Sequence, residues 1–188
     1  MRAHSSVLAS EMVHPPDAME REVNVLVIRH GPAGDPEGWK AEGRDDRLRP
    51  LTPDGKKDMR EAAFGLATLQ PQVDIVATSP LVRAAQTAEI IASEFGCKVV
   101  TVDALQPGEE PARTLEWIRT QPDGGTIALV GHEPHLSSLV CYMLTGSKTA
   151  FLELKKGGAC LLEAQSASPG SAALTWLLTR RELVRLGE

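Results

Sequence analysis

Val23-Asn24-Val25-Leu26-Val27-Ile28-Arg29-His30-Gly31 is the stretch that decides the fold. Val25 to Ile28 predict a buried strand, because β-branched residues dominate and no polar residue interrupts them. A strand that stops at Arg-His-Gly delivers a guanidinium and an imidazole together to the carboxyl edge of a sheet. Open α/β sheets bind ligands at that edge. Gly31 allows a tight turn and a close backbone approach to a ligand. Arginine supplies a fork for phosphate oxygens, and histidine serves as base, acid, nucleophile or metal ligand. The tripeptide alone is a weak signal, so its weight depends on what lies downstream.

From Pro32 to Arg49 the chain is polar and rich in Gly, Pro and Asp, which predicts a functional loop without secondary structure. Trp39 within it reads as part of a substrate rim or as an ordinary packed residue. Thr52-Pro53-Asp54 is an N-cap, a first-turn proline and an acid, and Met59, Ala62, Ala63, Leu66 and Leu69 follow at helical spacing up to Pro71. Val73 to Thr78 predicts a second strand. Ser79-Pro80 caps a second helix with an apolar stripe of Leu81, Ala85, Ala88, Ala92 and Phe95, ending at Gly96. Lys98 to Val102 reads as a third strand, Ala112 to Arg119 as a third helix and Thr126 to Val130 as a fourth strand. Pro134 opens a helix to Leu144, with Gly146 beyond. Ala150 to Leu154, Cys160 to Glu163 and Ala173 to Leu178 read as short strands, and Arg180 to Leu186 as a closing helix. The expected architecture is a three-layer α/β/α sandwich with a mostly parallel central sheet and antiparallel C-terminal additions.

Composition narrows the function. The 188 residues suffice for one domain with a substantial core, expected over 22–188 behind a flexible polar leader at 1–21. Apolar residues at 42% and charged residues at 24% are globular values. A formal charge of −5 argues against broad binding to nucleic acid or anionic membrane. No apolar run approaches the roughly 18 residues of a membrane span. Cys97, Cys141 and Cys160 are odd in number, widely spaced and set among apolar residues, which predicts buried free thiols and a cytoplasmic protein.

Three strand ends converge on one kind of chemistry. The first carries Arg29 and His30. The second leads through Ser79 into a helix with Arg83 in its first turn, where free N–H groups already favour an anion. The fourth ends at Gly131-His132-Glu133-Pro134. Two arginines and two histidines at the junctions of one sheet predict a cationic pocket for a phosphoryl group. No Asp, Glu or Cys lies at ligand spacing beside His30 or His132, so neither a metal nor another cofactor is expected. His4, His14 and His135 are assigned to tail or surface.

These residues resemble the histidine phosphatase superfamily, the phosphoglycerate mutase-like fold. Arg29-His30-Gly31 matches its hallmark, and Ser79-Pro80-Leu81-Val82-Arg83-Ala84-Ala85-Gln86-Thr87-Ala88 is similar to its Ser-Pro-x-x-Arg-Ala-x-Gln-Thr-Ala stretch. Gly131-His132 looks like its second-histidine motif, and Asp46 to Gly55 like its Asp-x-x-Arg-Pro-Leu-Thr-x-x-Gly entry to the first helix. The short gap after the third strand and Leu105-x-Pro107 resemble the compact SixA-type branch, whose members act on phosphohistidine in signal-transducing phosphotransfer proteins. The resemblance implies His30 as nucleophile, Arg29, Gly31, Arg83 and His132 as substrate-binding residues, and His132 as a cation.

The proton donor is the open assignment. Relatives that cleave esters use a carboxylic acid, for which Glu109, Glu110 and Glu133 are candidates and Asp35 a weaker one. A phosphohistidine substrate relaxes the need, because imidazole titrates near 6.5 and departs easily. The expected function is therefore a metal-independent phosphohistidine phosphatase acting on a phosphorylated protein, such as a histidine-phosphotransfer domain. The alternatives are a phosphomonoesterase for a small phosphorylated metabolite and a noncatalytic phosphoprotein-binding module. The oligomeric state stays open, with a monomer compatible with the sequence.

Overall fold

The computed structural model describes residues 22–188. The expected leader at 1–21, with His4 and His14, lies outside the described residues. From β1 (Val23–Arg29) the chain runs through α1 (Pro36–Ala41), a 3-10 turn at Asp46–Leu48, α2 (Pro53–Leu69), β2 (Ile75–Thr78), α3 (Val82–Phe95) and β3 (Lys98–Thr101). After a second 3-10 turn (Asp103–Leu105) come α4 (Pro111–Arg119), β4 (Thr126–Gly131), α5 (His135–Thr145), β5 (Ala159–Ala164), β6 (Ala172–Leu178) and α6 (Arg180–Leu186). One sheet takes the strands in the order β3-β2-β4-β1-β5-β6. Neighbours from β3 to β1 are parallel, and β5 and β6 add antiparallel. This is the expected three-layer architecture.

β1 shows why the sheet must be covered twice. Val25 and Val27 pack with Ile127, Leu129, Leu115, Leu136 and Leu139 on one face. Leu26 and Ile28 pack with Ala128, Val130, Met59, Leu66, Ile91 and Leu183 on the other. Successive side chains of a strand point to opposite faces, so an uninterrupted apolar run needs helices on both. Residues 25–28 are at most 1% exposed, and burial of each such side chain is worth roughly 1.5–3 kcal/mol. Register then sets the site: Arg29 lies opposite Gly131 and Thr78 opposite Val130, so β1, β4 and β2 finish level at their carboxyl ends.

Three expectations change. The 32–49 stretch is not structureless. Asp35 caps α1 by accepting from the amides of Glu37 and Gly38, with Pro36 in the first turn. That helix buries no residue, so no apolar stripe announced it. The N-cap of α3 is Leu81 rather than Ser79, and its buried face is Ala84, Ala88, Ile91 and Ala92, with Ala85 and Phe95 only half-buried. Ala150 to Leu154 forms no strand, because the backbone of Leu154 bonds to the side chains of Glu133 and Arg29 in place of a ladder. The three cysteines are free, as expected, with Cys141 and Cys160 buried and Cys97 half-buried. No described helix is long and apolar enough to cross a membrane.

Candidate active site

The level strand ends carry the site. The His30 amide donates to the Gly131 carbonyl and the Ser79 amide to the Val130 carbonyl, each at 3.0 Å. These bonds extend the sheet one step past its strands and set His30, Ser79 and His132 side by side. The rings of His30 and His132 lie 5.0 Å apart between centroids, tilted by 53°. Both residues are buried.

His30 has a defined tautomer. Its Nδ1 lies 2.7 Å from the Gly31 carbonyl oxygen. That oxygen only accepts, so Nδ1 carries the proton and Nε2 keeps its lone pair. Burial pushes the His30 pKa down to about 4; the bond to Gly31 opposes this, and Arg83, Arg29 and Lys156 reinforce it. His132 is pushed down to about 3 by burial, then by His30 and Arg83. Asp46 pulls the other way and is outweighed. Without a bound anion, burial among positive neighbours therefore keeps His132 neutral.

Each arginine is held at one end. Arg29 donates from Nη1 to the Leu154 carbonyl at 2.7 Å, with Glu153 at 3.5 Å. Arg83 donates from Nη1 to the Asp46 carbonyl at 2.8 Å and pairs from Nη2 with the Asp46 carboxylate at 2.9 Å. Asp46 also accepts from Arg49 Nε at 2.7 Å. Burial works to raise the Asp46 carboxyl, but Arg49 and Arg83 outweigh it and hold it below its usual value. Among the described residues, the buried side-chain nitrogens and oxygens without a partner are Arg29 Nε, Arg83 Nε and His132 Nδ1. Buried polar atoms are otherwise almost always satisfied. Three orphans on residues grouped about His30 suit a ligand that accepts several hydrogen bonds, such as a phosphoryl group.

Several residues that organise this pocket have no role in the reading of the sequence. Thr87 accepts from the Gly31 amide at 3.1 Å and donates to the Arg83 carbonyl at 2.8 Å. Gln86 accepts from the Leu51 amide at 2.9 Å. With Ser79 and Arg83, they put four residues of the site on one ten-residue stretch. The motif stretch contained them all, and their repetition within it was the available signal. The Gly31 amide is committed to Thr87. A Cβ there would sit 2.4 Å from Met59 Cγ, so packing demands the glycine.

The candidate acids are engaged elsewhere. Glu109 pairs with Arg113, and Glu110 with Lys148, which holds its carboxyl low. Asp35 caps α1. Glu133 accepts from the Leu154 amide at 3.0 Å and from the Ser137 hydroxyl. His135 is not on the surface: it is buried, with Nδ1 donating to the Glu109 carbonyl at 2.8 Å and Nε2 lying 3.1 Å from the Thr114 hydroxyl.

A parallel sheet gathering two neutral imidazoles and two guanidiniums at one edge defines a class, an α/β enzyme that handles phosphoryl groups with nitrogen ligands. The sequence pattern of the histidine phosphatase superfamily (branch 1) matches residues 25–107. An uncharacterised protein of Picosynechococcus sp. is 34% identical over 140 residues, 72% of this chain and 82% of that one. The chain belongs to the histidine phosphatase superfamily and is a phosphatase of that family. Solved structures with the same fold include the protein histidine phosphatase SixA complexed with tungstate, with a TM-score of 0.70 at 20% identity over 85% of this chain and 99% of that one. Another is a phosphoserine phosphatase of Entamoeba histolytica in complex with phosphoserine, with a TM-score of 0.62 at 18% identity over 86% of this chain and 99% of that one.

Proposed function

We propose that this chain is a metal-independent phosphatase that removes the phosphoryl group from phosphohistidine in a phosphotransfer protein. The observation that carries the phosphoryl chemistry is the trio of buried, unpartnered nitrogens on Arg29, Arg83 and His132, beside an imidazole whose Nε2 keeps its lone pair. His30 Nε2 attacks phosphorus in line: the N–P bond to His30 forms as the bond to the leaving group breaks. Arg29 and Arg83 hold the nonbridging oxygens and offset charge in the transition state. His132 donates a hydrogen bond to the transferring group. Water then attacks the phosphohistidine, releasing phosphate and returning His30 to its neutral form.

The substrate follows from the acids. An alkoxide leaving group needs a proton in the transition state, whereas an imidazole leaves with solvent protonation alone. Asp35, Glu109, Glu110 and Glu133 are engaged in a cap, two ion pairs and a hydrogen-bond pair. Asp46 is held ionised between two arginines, so it is a poor acid. That distribution supports a phosphoramidate substrate over a phosphate ester, and the structural likeness to a SixA protein supports the same reading.

The test compares turnover of a phosphohistidine protein and an aryl phosphate in chelator-treated buffer, with His30→Ala as control. Fast dephosphorylation of the protein, slow ester cleavage and loss of both in the variant is the expected result. Efficient ester cleavage would move the assignment to a metabolite phosphatase. Phosphate binding without turnover of either substrate would make the chain a binding module.

A further inference from the structure

Ser79 is not the cap of α3, and its hydroxyl has another task. Its Oγ lies 3.0 Å from His132 Nε2, and both residues are buried. The Leu81 amide reaches the same oxygen at 3.4 Å, a long contact that occupies one of its lone pairs. The opposite ring nitrogen, His132 Nδ1, is the buried atom left without a partner.

A neutral imidazole carries one proton, so only two arrangements are available. With the proton on Nε2, the ring donates to Ser79. The Ser79 hydroxyl proton then finds no acceptor among its described contacts, and Nδ1 keeps a bare lone pair without a donor. That leaves two buried groups unsatisfied, the Ser79 hydroxyl proton and the Nδ1 lone pair, against one in the other arrangement, a difference of about 1–3 kcal/mol, and it offers a phosphoryl oxygen a lone pair instead of a donor. With the proton on Nδ1, Ser79 donates to Nε2, and the Nδ1–H is the single group of the pair left without a partner, a donor that a phosphoryl oxygen can satisfy.

We infer that Ser79 is a positioning residue that fixes His132 as its Nδ1–H tautomer, so that a neutral His132 donates the third hydrogen bond to the phosphoryl group. The site thus obtains a donor from His132 without protonating it. A positive imidazole at His132 would have to form in a buried place beside His30 and Arg83, which burial and the Arg83 charge oppose. The groups facing His132 are His30 from the end of β1, Arg83 from α3, Asp46 from the 3-10 turn and His135 from α5. The kinetic consequence rests on the proposed phosphatase reading; the tautomer does not.

The test is nitrogen NMR of histidine-labelled protein at neutral pH, with His132 assigned by its disappearance in His132→Gln. The expected wild-type spectrum shows His132 protonated at Nδ1 and bare at Nε2, and Ser79→Ala shifts the ring toward the Nε2–H form. Ser79→Ala also lowers kcat about 10- to 100-fold, less than the roughly 100- to 1,000-fold of a deleted transition-state donor because His132 itself remains, while Ser79→Thr recovers much of it with the wild-type tautomer. A wild-type His132 protonated at Nε2, or at both nitrogens, overturns the inference even if Ser79→Ala fails to fold. An unchanged tautomer in folded Ser79→Ala overturns it too. Absence of turnover in wild type with the Nδ1–H tautomer intact would instead count against the phosphatase reading alone.

Discussion

A histidine nucleophile must be both unprotonated and aimed, and His30 obtains both from the carbonyl next to it. The Gly31 oxygen takes the Nδ1 proton at 2.7 Å, leaving Nε2 as the only basic nitrogen. Burial and the nearby cations Arg83, Arg29 and Lys156 then keep a second proton off, with the pKa at about 4. On the enzyme side, the acid limb of kcat/KM is therefore expected near pH 4, rather than at the ordinary histidine value near 6.5. Aryl phosphate hydrolysis across pH, corrected for substrate ionisation and restricted to pH values where circular dichroism shows folded protein, measures it. A limb near 6.5 would mean that His30 is solvated like a free imidazole. Arg83 makes a second demand at this scale, because it grips Asp46 with both terminal nitrogens and still keeps Nε without a partner. A lysine has one point charge and no fork. Arg83→Lys is expected to lower kcat roughly 100-fold, as for loss of a transition-state donor, with stability close to wild type by urea denaturation.

Neither arginine is held by its own strand or helix; each is fixed by a segment of irregular backbone. Asp46, in the 3-10 turn, holds Arg83 from across the chain, and Leu154, in the stretch before β5, holds Arg29. Asp46→Ala should therefore leave the fold intact and lower kcat/KM roughly 10-fold, since a misplaced catalytic group is costly even at about 1 Å. Glu133→Ala acts one step further back. It strips the acceptor from the Leu154 amide and from Ser137, so a loss of about 1–3 kcal/mol in urea denaturation is expected. A fall in kcat/KM should accompany it as Arg29 loses its anchor. These segments also mark where sequence reading stops. α2 and α3 were legible because their apolar faces repeat at helical spacing, and β1 because its run is uninterrupted. α1 buries nothing, so only its Asp35-Pro36 start could have revealed it. Phe151 to Leu154 is apolar enough to pass for a strand, but its bonding partners Arg29 and Glu133 lie far away in the chain, and no local pattern encodes them.

Across the whole molecule, residue identity predicted which groups meet, while their charge states depended on the assembled fold. The order of strands and helices placed Arg29, His30, Arg83 and His132 at one edge because parallel strands share a carboxyl end. That His132 is neutral, and His135 buried rather than exposed, follows from packing on several elements at once and cannot be read from either residue's neighbours in sequence. The same packing ties stability to pH. His30, His132 and His135 all have lowered pKa values in the folded protein, to about 4 and about 3 for the first two, with burial the largest cause in each. The unfolded chain binds these protons near 6.5 and the folded chain does not, so between those values protons favour unfolding. Stability is full above pH 6.5, falls as pH drops through the window from 6.5 to about 4 for His30, and continues falling toward about 3 for His132. The His30 shift alone corresponds to about 3 kcal/mol. Urea midpoints measured at pH 7, 5.5 and 4.5 should fall steadily, and His30→Asn should show a shallower decline because it removes one of the proton sites. Carboxylates paired in the fold titrate lower in this range, so the variant separates the histidine share from theirs. A pH-independent midpoint between 7 and 4.5 would show that the paired imidazoles are already hydrated in the folded protein, and the dry cationic pocket on which the proposed chemistry depends would be lost with it.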